Sequence, residues 1–307
     1  AQLVAETDVV VENYRPGIAE ALGLDWTALR ALHPRLIYVA IRAFGETNPE
    51  WGSRPGYDLI LQSVGGAASF NGHPGNPPAR SGLPSADLIT GLETVKAVLL
   101  ALLHRERTGE GQRIVVNMMA AQGAALVYHA SRQSVTGECE IQRGNAHRGL
   151  MPYDLYPCSD GWLAVACGND RMWQRLRNAL GLPDRLDWRH NLGRLAHRDA
   201  IDAALRTALG AMTVAAADRL LTAVNVPVGP VNDVAGAMAN PALELIELID
   251  DVLGAVALPG PALHTKSTRS VHAAPPGLGA ERDQILAELG ISELTIESLG
   301  DRGAFGR

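Results

Sequence analysis

The chain has 307 residues, of which 47% are hydrophobic and 20% are charged, the balance of an ordinary globular protein. That length allows one large domain or two modest ones, with a sizeable core. The formal net charge of −6 argues against a general nucleic-acid binder, because neutralising phosphates requires an excess of Lys and Arg. No apolar run reaches the roughly 18 residues of a membrane span, so the sequence predicts no membrane partner.

The cysteines and the first residues bear on the cellular compartment. The three cysteines show no C-x-x-C spacing, and one is left over from any pairing, which favours a reducing cytoplasm over a disulfide scaffold. The opening stretch, AQLVAETDVVVEN, lacks the basic region that starts a signal peptide, and it lacks an initiating Met. The sequence therefore predicts a cytoplasmic protein whose first residues lie inside a domain.

The first part of the chain alternates strand and helix patterns. The β-branched run at 8–13 predicts a buried strand, and the run at 35–45 predicts a second one. Between them, 25–34 predicts a helix that Asp25 caps and Pro34 ends. Strand, helix and strand in that order are typical of a parallel α/β layer.

A long helix and a third strand follow. The pattern at 57–70 predicts a helix that ends near a glycine pair. Apolar residues at helical spacing predict a long helix over about 88–107, ended by Gly109. The run at 112–118 predicts the third strand, and 120–133 predicts another helix.

The composition changes near residue 140, and the rest of the chain predicts a smaller α+β region. Two short strands flank a turn at Ser159, Asp160 and Gly161. Residues 226–233 are rich in Pro and Gly, as is typical of a linker, and the tail over 258–283 is predicted to be mostly loop. Helices are predicted at about 171–181, 197–210, 213–224 and 279–289.

The common catalytic signatures are absent from the sequence. It contains no G-x-G-x-x-G, G-x-x-x-x-G-K-[ST], H-E-x-x-H or G-x-S-x-G motif, so the usual nucleotide, zinc-protease and serine-hydrolase sites are not predicted. The nine histidines are scattered without ligand spacing, and the sequence therefore predicts no metal site.

Asp87 is the most informative single residue, because it stands just before the long apolar helical pattern. Asp is a leading N-cap residue, so capping this helix is one interpretation. In the other interpretation, the helix dipole and free N–H groups hold the carboxylate ionised, and it attacks an activated acyl carbon. The neighbours Ser85 and Ala86 are small and leave room for a substrate. One carboxylate can serve both purposes at different moments, so both interpretations stay open.

Several stretches, spread over nearly the whole chain, carry a family resemblance. They are DVVVENYRPGIAEALGLDWTALRALHPRLIYVAIRAFG, RPGYDLILQSVGG, ADLITGLETVKAVLLALLHRERTGEGQRIVVNM, RGNAHR, DGWLAVACGND, VPVGPVND and PPGLGAERDQILAELG. In this order they resemble the family III CoA-transferases of the CaiB–BaiF or formyl-CoA transferase type. The resemblance implies that Asp87 is the catalytic aspartate that carries the acyl group. It also implies that the strand–helix–strand stretch with which the family usually begins is missing from this sequence.

The resemblance assigns CoA-binding residues as well. The segment ENYRPG resembles the one that lies along CoA, with Asn13 and Tyr14 against its adenine–pantetheine side and Arg15 near phosphate. Arg54 falls close to a basic position that meets the CoA phosphates in the family, and Arg makes multidentate phosphate contacts. For Arg15 and Arg54, a solvated surface charge is the alternative interpretation.

Two residues distinguish reactions within the superfamily. The related α-methylacyl-CoA racemases have a histidine where this chain has Tyr57, and a Tyr, with a pKa of about 10, is a poor proton shuttle at neutral pH. That difference disfavours racemisation. The next residue, Asp58, either positions a substrate or is a surface residue.

The stretch RGNAHRG, residues 143–149, resembles a mobile loop that covers the active site in transferases. The resemblance implies that Gly144 and Asn145 belong to a lid that keeps water from an anhydride, and that His147 or Arg148 pairs with a substrate carboxylate. An ordinary connection between domains is the alternative interpretation.

The fold class that the resemblance implies is α/β, with a Rossmann-like large domain and a smaller α+β domain in an interlocked homodimer. The predicted bounds are 1–125 for the first part of the large domain, 126–145 for a linker, 146–225 for the small domain, and 226–307 for a linker and the return to the large domain.

The predicted function is transfer of CoA from an acyl-CoA to a free carboxylic acid through aspartyl anhydride and aspartyl-CoA thioester intermediates. The CoA thioester is a substrate, and no permanently bound cofactor is predicted. An acyl-CoA racemase or epimerase is one alternative. An inactive CoA-binding or structural subunit is another.

Overall fold

The structure is a computed structural model that describes residues 2–263 and 273–305. The chain forms two compact units, Ala1–Asp154 and Leu155–Arg307. The domain bounds expected from the sequence, including the return of 226–307 to the large domain, stay predictions.

The first unit is built on a parallel sheet with the strand order β1 (Val9–Glu12), β2 (Ile37–Arg42) and β3 (Gln112–Asn117). All three strands form where their β-branched runs predict them. The register brings the carboxyl ends of the strands to one edge of the sheet. The predicted α/β class with a parallel sheet is therefore confirmed.

The long helix of this unit forms as predicted, with an earlier start. It begins at Ser85 and ends at Thr108, and it is followed by Gly109, whose φ of 80° is the left-handed conformation that glycine adopts most easily at a helix end. The helix predicted over 120–133 is two helices, because the chain breaks at Val127, where φ is 47°. The described helices are α1 (Gln2–Ala5), α2 (Ile18–Ala21), α3 (Trp26–Leu32), α4 (Pro49–Gly52), α5 (Asp58–Val64), α6 (Ala67–Phe70), α7 (Ser85–Thr108), α8 (Met118–Ala124) and α9 (Tyr128–Thr136).

The central strand β2 organises the core of the first unit. Successive side chains of a strand point to opposite faces, and β2 is apolar on both. Ile37 and Val39 pack with Ala101 of α7, whereas Tyr38 packs with Leu29 of α3 on the other face. Helices on both faces are what a parallel sheet needs to stay buried.

The packing of α7 also fixes which end of the helix reaches the carboxyl edge of the sheet. Because α7 connects parallel strands, it runs opposite to them. Arg35, just before β2, donates a hydrogen bond to the carbonyl of Gly109 at 3.2 Å, so the C-terminus of α7 lies at the amino edge. The first turn of α7, which contains Asp87, therefore lies at the carboxyl edge.

The second unit contains a sheet with the strand order β4 (Tyr153–Cys158), β5 (Gly161–Ala166) and β6 (Val228–Pro230), and β4 begins at the end of the first unit. The predicted turn at 159–161 joins β4 to β5. The linker predicted at 226–233 is wrong in its middle, because β6 pairs antiparallel with β5. Proline and glycine suggested a loop there, but an edge strand tolerates both.

The remaining elements of the second unit include an antiparallel hairpin of β7 (Leu245–Asp250) and β8 (Gly254–Pro259), which the sequence did not predict. Within the tail predicted as loop, 264–272 lie outside the described residues. The described helices are α10 (Asp170–Ala179), α11 (Asn191–Ala196), α12 (Arg198–Gly210), α13 (Val214–Ala223), α14 (Val234–Met238), α15 (Arg282–Glu288) and α16 (Glu293–Asp301).

Over residues 2–263 and 273–305, no single helix is long and apolar enough to cross a membrane. Helices α12 and α13 have sufficient length and apolarity only when they are taken together, and this pair is bent by 113°.

Candidate active site

A cleft of about 490 Å³ opens at the carboxyl edge of the parallel sheet. Ligands of open α/β sheets bind outside the carboxyl ends of the strands, because the connecting loops and helix N-termini converge there. Six of the residues selected from the sequence line this cleft: Asn13, Tyr14, Arg15, Arg54, Tyr57 and Asp87. The structure therefore brings the predicted nucleophile and the predicted CoA-binding residues together.

The carboxylate of Asp87 is exposed in this cleft and does not cap α7. Asp87 is the third residue of the helix, the N-cap position belongs to Pro84, and no side chain of that residue caps the helix end. The interpretation of Asp87 as an N-cap is thus wrong. The error arose because the helix was expected to begin at 88, and it begins one turn earlier.

Asp58 performs the capping role from another helix. Its Oδ1 accepts a hydrogen bond from the backbone N–H of Ala86 at 2.8 Å. Ala86 lies in the first turn of α7, whose N–H groups have no partner within the helix. A neighbouring carboxylate therefore satisfies the helix end, which leaves the Asp87 carboxylate directed to the cleft.

Buried Gln62 holds this arrangement in place from the next turn of α5. Its Nε2 donates to Oδ2 of Asp58 at 2.6 Å and to the carbonyl of Leu83 at 3.2 Å. Its Oε1 accepts from the N–H of Ser81 at 2.7 Å. With its amide oxygen and nitrogen both engaged, Gln62 ties α5 to the segment that leads into α7.

The pKa of Asp87 is raised above the ordinary value of an aspartate. Partial burial is the larger cause, and the negative charge of Asp58 is the second. The sequence led to the opposite expectation, that the helix dipole and free N–H groups would favour the ionised form. The difference arises because partial burial desolvates the Asp87 carboxylate and because Asp58, which occupies the N–H of Ala86, places a like charge near it.

Asp58 affects both the stability of the fold and the pKa of Asp87, and replacing it separates these two effects. We expect Asp58→Ala to lower the free energy of unfolding by about 1–2 kcal/mol, because the N–H groups of Ala86 and Gln62 lose their acceptor. The acid limb of the activity–pH profile should move to lower pH, since one cause of the raised pKa of Asp87 is removed. Urea denaturation and pH-dependent kinetics measure the two effects.

The matched variant is Asp58→Asn, which retains an oxygen for Ala86 but carries no charge. It should lose less stability than Asp58→Ala and still show the displaced acid limb. An acid limb unchanged from the wild type would contradict the electrostatic role assigned to Asp58.

One partner of a buried ion pair lines the cleft, and the sequence analysis did not find this pair. Arg42 lines the cleft at the end of β2 and makes a bidentate pair with Glu12, at 2.6 and 3.0 Å. The side chains are only 5% and 6% exposed. The signal available in the sequence was a charged residue at the end of an otherwise apolar strand run.

This ion pair also positions the ENYRPG segment. Oε2 of Glu12 accepts from the N–H of Tyr14 at 2.8 Å, and Arg42 donates to the carbonyl of Tyr14 at 3.3 Å. The hydroxyl of Tyr38 donates to Glu12 at 3.1 Å. The backbone of Tyr14 is thereby fixed while its side chain stays 45% exposed beside the cleft.

The two predicted phosphate-binding arginines differ in their surroundings. Arg54 stacks over the ring of Trp51, 4.1 Å from its centroid, and pairs with Glu50 at 2.8 Å. Arg15 is exposed. The Trp51 and Glu50 contacts restrain the guanidinium of Arg54 at the side of the cleft.

The predicted loop 143–149 belongs to the first unit, but none of its residues lines the cleft. The N–H of Gly144 donates to the carbonyl of Gly72 at 2.9 Å, and a Cβ on Gly144 would come within 2.5 Å of the ring of His73. This close packing and a φ of 63° account for glycine at the position. Asn145 is exposed.

Glu140 binds two arginines of this loop, Arg143 and Arg148. Its carboxylate accepts from Arg143 at 2.9 Å and from Arg148 at 3.3 Å. Burial by itself would raise the pKa of Glu140, but these hydrogen bonds outweigh it and lower the pKa to about 2. The ring of His147 lies 5.1 Å from that of Tyr153. The lid role of this loop stays a prediction.

The described residues contain no group of three or more His, Cys, Asp or Glu side chains placed to hold a metal ion. The polar residues that line the cleft include three arginines, two tyrosines, an asparagine, a threonine and the carboxylate of Asp87. That set suits an anionic ligand beside a nucleophile.

Comparisons with known proteins show the family to which this chain belongs. The family model described as CoA-transferase family III matches residues 1–282. The succinate–glutarate CoA-transferase of Agrobacterium fabrum is 36% identical over an alignment of 307 positions, which covers 96% of this chain and 75% of that protein. The acetyl-CoA:oxalate CoA-transferase of Acetobacter aceti is 36% identical over 244 residues, 78% of this chain and 62% of that protein.

A solved structure extends the similarity to the fold. The crystal structure of a CaiB/BaiF family protein from Brucella suis matches with a TM-score of 0.84 and 33% sequence identity, over 94% of this chain and 77% of that one. The chain thus matches between 62% and 77% of the length of these proteins. The family match, the identities and the shared fold confirm the resemblance found in the sequence, and the chain belongs to CoA-transferase family III.

Proposed function

We propose that this protein transfers CoA from an acyl-CoA to a free carboxylate, with Asp87 as the covalent nucleophile. The observation that carries the proposal is the Asp87 carboxylate, which faces the cleft while Asp58 satisfies the helix end. The raised pKa adds to it, since a more basic carboxylate is a better nucleophile once ionised.

The proposed reaction proceeds through four acyl transfers. An oxygen of Asp87 attacks the thioester carbonyl, the C–S bond breaks, and CoA thiolate leaves a mixed anhydride. The thiolate attacks the Asp87 side-chain carbonyl, which releases the donor acid and forms an aspartyl-CoA thioester. The acceptor carboxylate displaces the thiolate and forms a second anhydride. The thiolate then attacks the new acyl carbonyl, which gives the product acyl-CoA and restores Asp87. No proton is gained or lost overall.

The remaining residues have supporting roles in this proposal. Asn13, Tyr14, Arg15 and Arg54 bind the CoA moiety along the cleft, and Tyr57, which is 77% exposed, meets the substrate acid. Gly144, Asn145, His147 and Arg148 belong to the lid.

A homodimer is also part of this proposal. Apolar side chains that are more than half exposed along α7 support it, because an apolar patch of this length is usually covered in an assembly. They are Leu88, Leu92, Val95, Leu99, Leu100 and Leu103. Light scattering of the purified protein tests the assembly.

Short dicarboxylic acids are the proposed substrates, with succinyl-CoA and glutarate as the first pair to test. The support is the name of the Agrobacterium fabrum relative, which shares 36% of its aligned residues with this chain.

The test is exchange between defined thioesters and acids, followed by mass spectrometry of the CoA products. Succinyl-CoA with glutarate should give glutaryl-CoA only when both substrates and the protein are present, and a trapped peptide should carry CoA on Asp87. Folded protein that exchanges no donor with any acid would overturn the proposal. Uptake of solvent deuterium at the α-carbon without an acceptor acid would instead indicate a racemase.

A further inference from the structure

We propose that Gly91 sets the upper size of the acyl group that the cleft accepts beside Asp87, an inference that rests on the proposed function. The residue lies inside α7 and lines the cleft together with Asp87 and Thr90. No motif or comparison gives it a role.

Glycine is an unfavourable choice at this position for the helix itself. It lies near the first third of a 24-residue helix, where glycine destabilises relative to alanine because it loses more backbone freedom on folding. A helix-interior glycine therefore calls for a local reason.

The two usual structural reasons do not apply to Gly91. Its backbone is helical, so no left-handed φ requires glycine. A Cβ built on it would meet nothing within 4 Å, so no neighbouring atom of the described residues excludes a side chain. The space that a side chain would occupy belongs instead to the cleft.

The direction of helical side chains makes this space relevant to Asp87. Gly91 follows Asp87 by four residues, so the two lie on the same face, one turn apart. Side chains on a helix lean toward its N-terminus and cover the preceding turn. A side chain at 91 would therefore project toward the space beside the Asp87 carboxylate, where the anhydride's acyl group must lie.

The neighbouring side chain leaves the same space open. Thr90 is 3% exposed, and its hydroxyl donates to the carbonyl of Ala86 at 2.7 Å, so it folds back onto the helix. The cleft wall one turn from Asp87 thus consists of the folded-back Thr90 and the side-chain-free backbone of Gly91. A longer acyl chain can lie across Gly91, whereas a very short one does not reach it.

The experiment compares a long and a short donor in Gly91→Ala and Gly91→Leu. We expect Gly91→Ala to lower kcat/KM for glutaryl-CoA by about tenfold relative to acetyl-CoA, since one methyl group in a fitted pocket has an effect of that order. Gly91→Leu should enlarge this ratio. Both variants should melt at a higher temperature than the wild type, which shows that they fold.

The matched control is Gly123→Ala. Gly123 is also helical, a Cβ there would also meet nothing within 4 Å, and it does not line the cleft. This variant should leave the glutaryl-to-acetyl ratio unchanged. Equal losses for both donors in Gly91→Ala, or no change in either, would overturn the inference.

A binding measurement keeps this test separate from the proposed function. Isothermal titration of glutaryl-CoA and acetyl-CoA into Asp87→Asn, with and without Gly91→Ala, requires no turnover. Selective weakening of glutaryl-CoA binding supports the size limit even in a protein that transfers nothing. Absence of turnover in the wild type would overturn the proposed function alone, whereas unselective binding would overturn the size limit.

Discussion

Asp87→Asn should reduce CoA exchange by about 10⁴-fold or more, because an amide cannot form the anhydride and loss of a covalent nucleophile has effects of that size. The variant keeps nearly the same shape, and Asp58 still satisfies the first turn of α7. Steady-state exchange between succinyl-CoA and glutarate measures the loss. Near wild-type activity in Asp87→Asn would exclude the proposed mechanism.

The same substitution should make the protein more stable near neutral pH. An acid whose pKa is raised by folding binds more protons in the folded state than in the unfolded state between the two pKa values. Folding stability therefore falls as pH rises through that window, and ionised Asp87 destabilises the fold above it. Asn does not ionise, so the advantage of Asp87→Asn should be small at about pH 4 and larger at about pH 7.

Asp199→Asn is the matched control for both measurements. Asp199 also lies in the first turn of a helix, α12, but in the second unit and outside the cleft. Its replacement should leave exchange intact and slightly lower stability, because a carboxylate near a helix N-terminus is favourable. A gain in stability in this control would show that the effect at Asp87 is not specific to the cleft.

Glu12→Gln should lower the free energy of unfolding by about 3 kcal/mol, because it leaves the buried guanidinium of Arg42 without its bidentate partner. This loss of stability lies at the lower end of the range for broken buried ion pairs, because Arg42 keeps a second carboxylate, that of Glu46, at 3.2 Å. Urea denaturation measures the difference. A loss below about 1 kcal/mol would contradict the importance assigned to this pair.

The stability that Glu12→Gln loses should depend on pH, because folding lowers the pKa of Glu12. Burial alone would raise that pKa, but hydrogen bonds from Arg42 and the N–H of Tyr14 outweigh it and lower it. A carboxyl group whose pKa is lower in the folded state stabilises the fold at pH values above its unfolded-state pKa. This stabilisation is lost as the pH falls through the folded-state pKa. The difference between Glu12→Gln and the wild type should therefore be full at neutral pH and shrink in acid.

Two further variants test whether the lost stability comes from the unpaired buried charge. Glu50→Gln breaks the exposed pair with Arg54, whose side chains are 47% and 73% exposed, and should cost less than about 1 kcal/mol. The double variant Glu12→Leu, Arg42→Met removes both buried charges and should recover much of the stability that Glu12→Gln loses. If the double variant is less stable than Glu12→Gln, the loss comes from packing rather than from the unpaired charge.

Features that depend on near neighbours in the chain were predicted from the sequence. Asp25 caps α3 through the N–H groups of Thr27 and Ala28, as its position before the helical pattern indicated. Gly109 ends α7, and the three β-branched runs form the parallel sheet. Caps and hydrophobic periodicity act over a few residues, so they are visible in the order of the residues.

Only the tertiary structure decided what surrounds Asp87. Asp58 reaches Ala86 across 28 positions of the chain, and Arg42 reaches Glu12 across 30. Neither contact has a spacing that a local pattern reveals, yet together they leave the Asp87 carboxylate in the cleft, contribute to its raised pKa and fix the backbone of Tyr14. The sequence determined that an aspartate lies near the start of the long helix and that the chain resembles a family III CoA-transferase. The folding of α5 against α7 decided that another carboxylate caps the helix, because hydrogen bonds between distant segments exist only after the sheet has assembled.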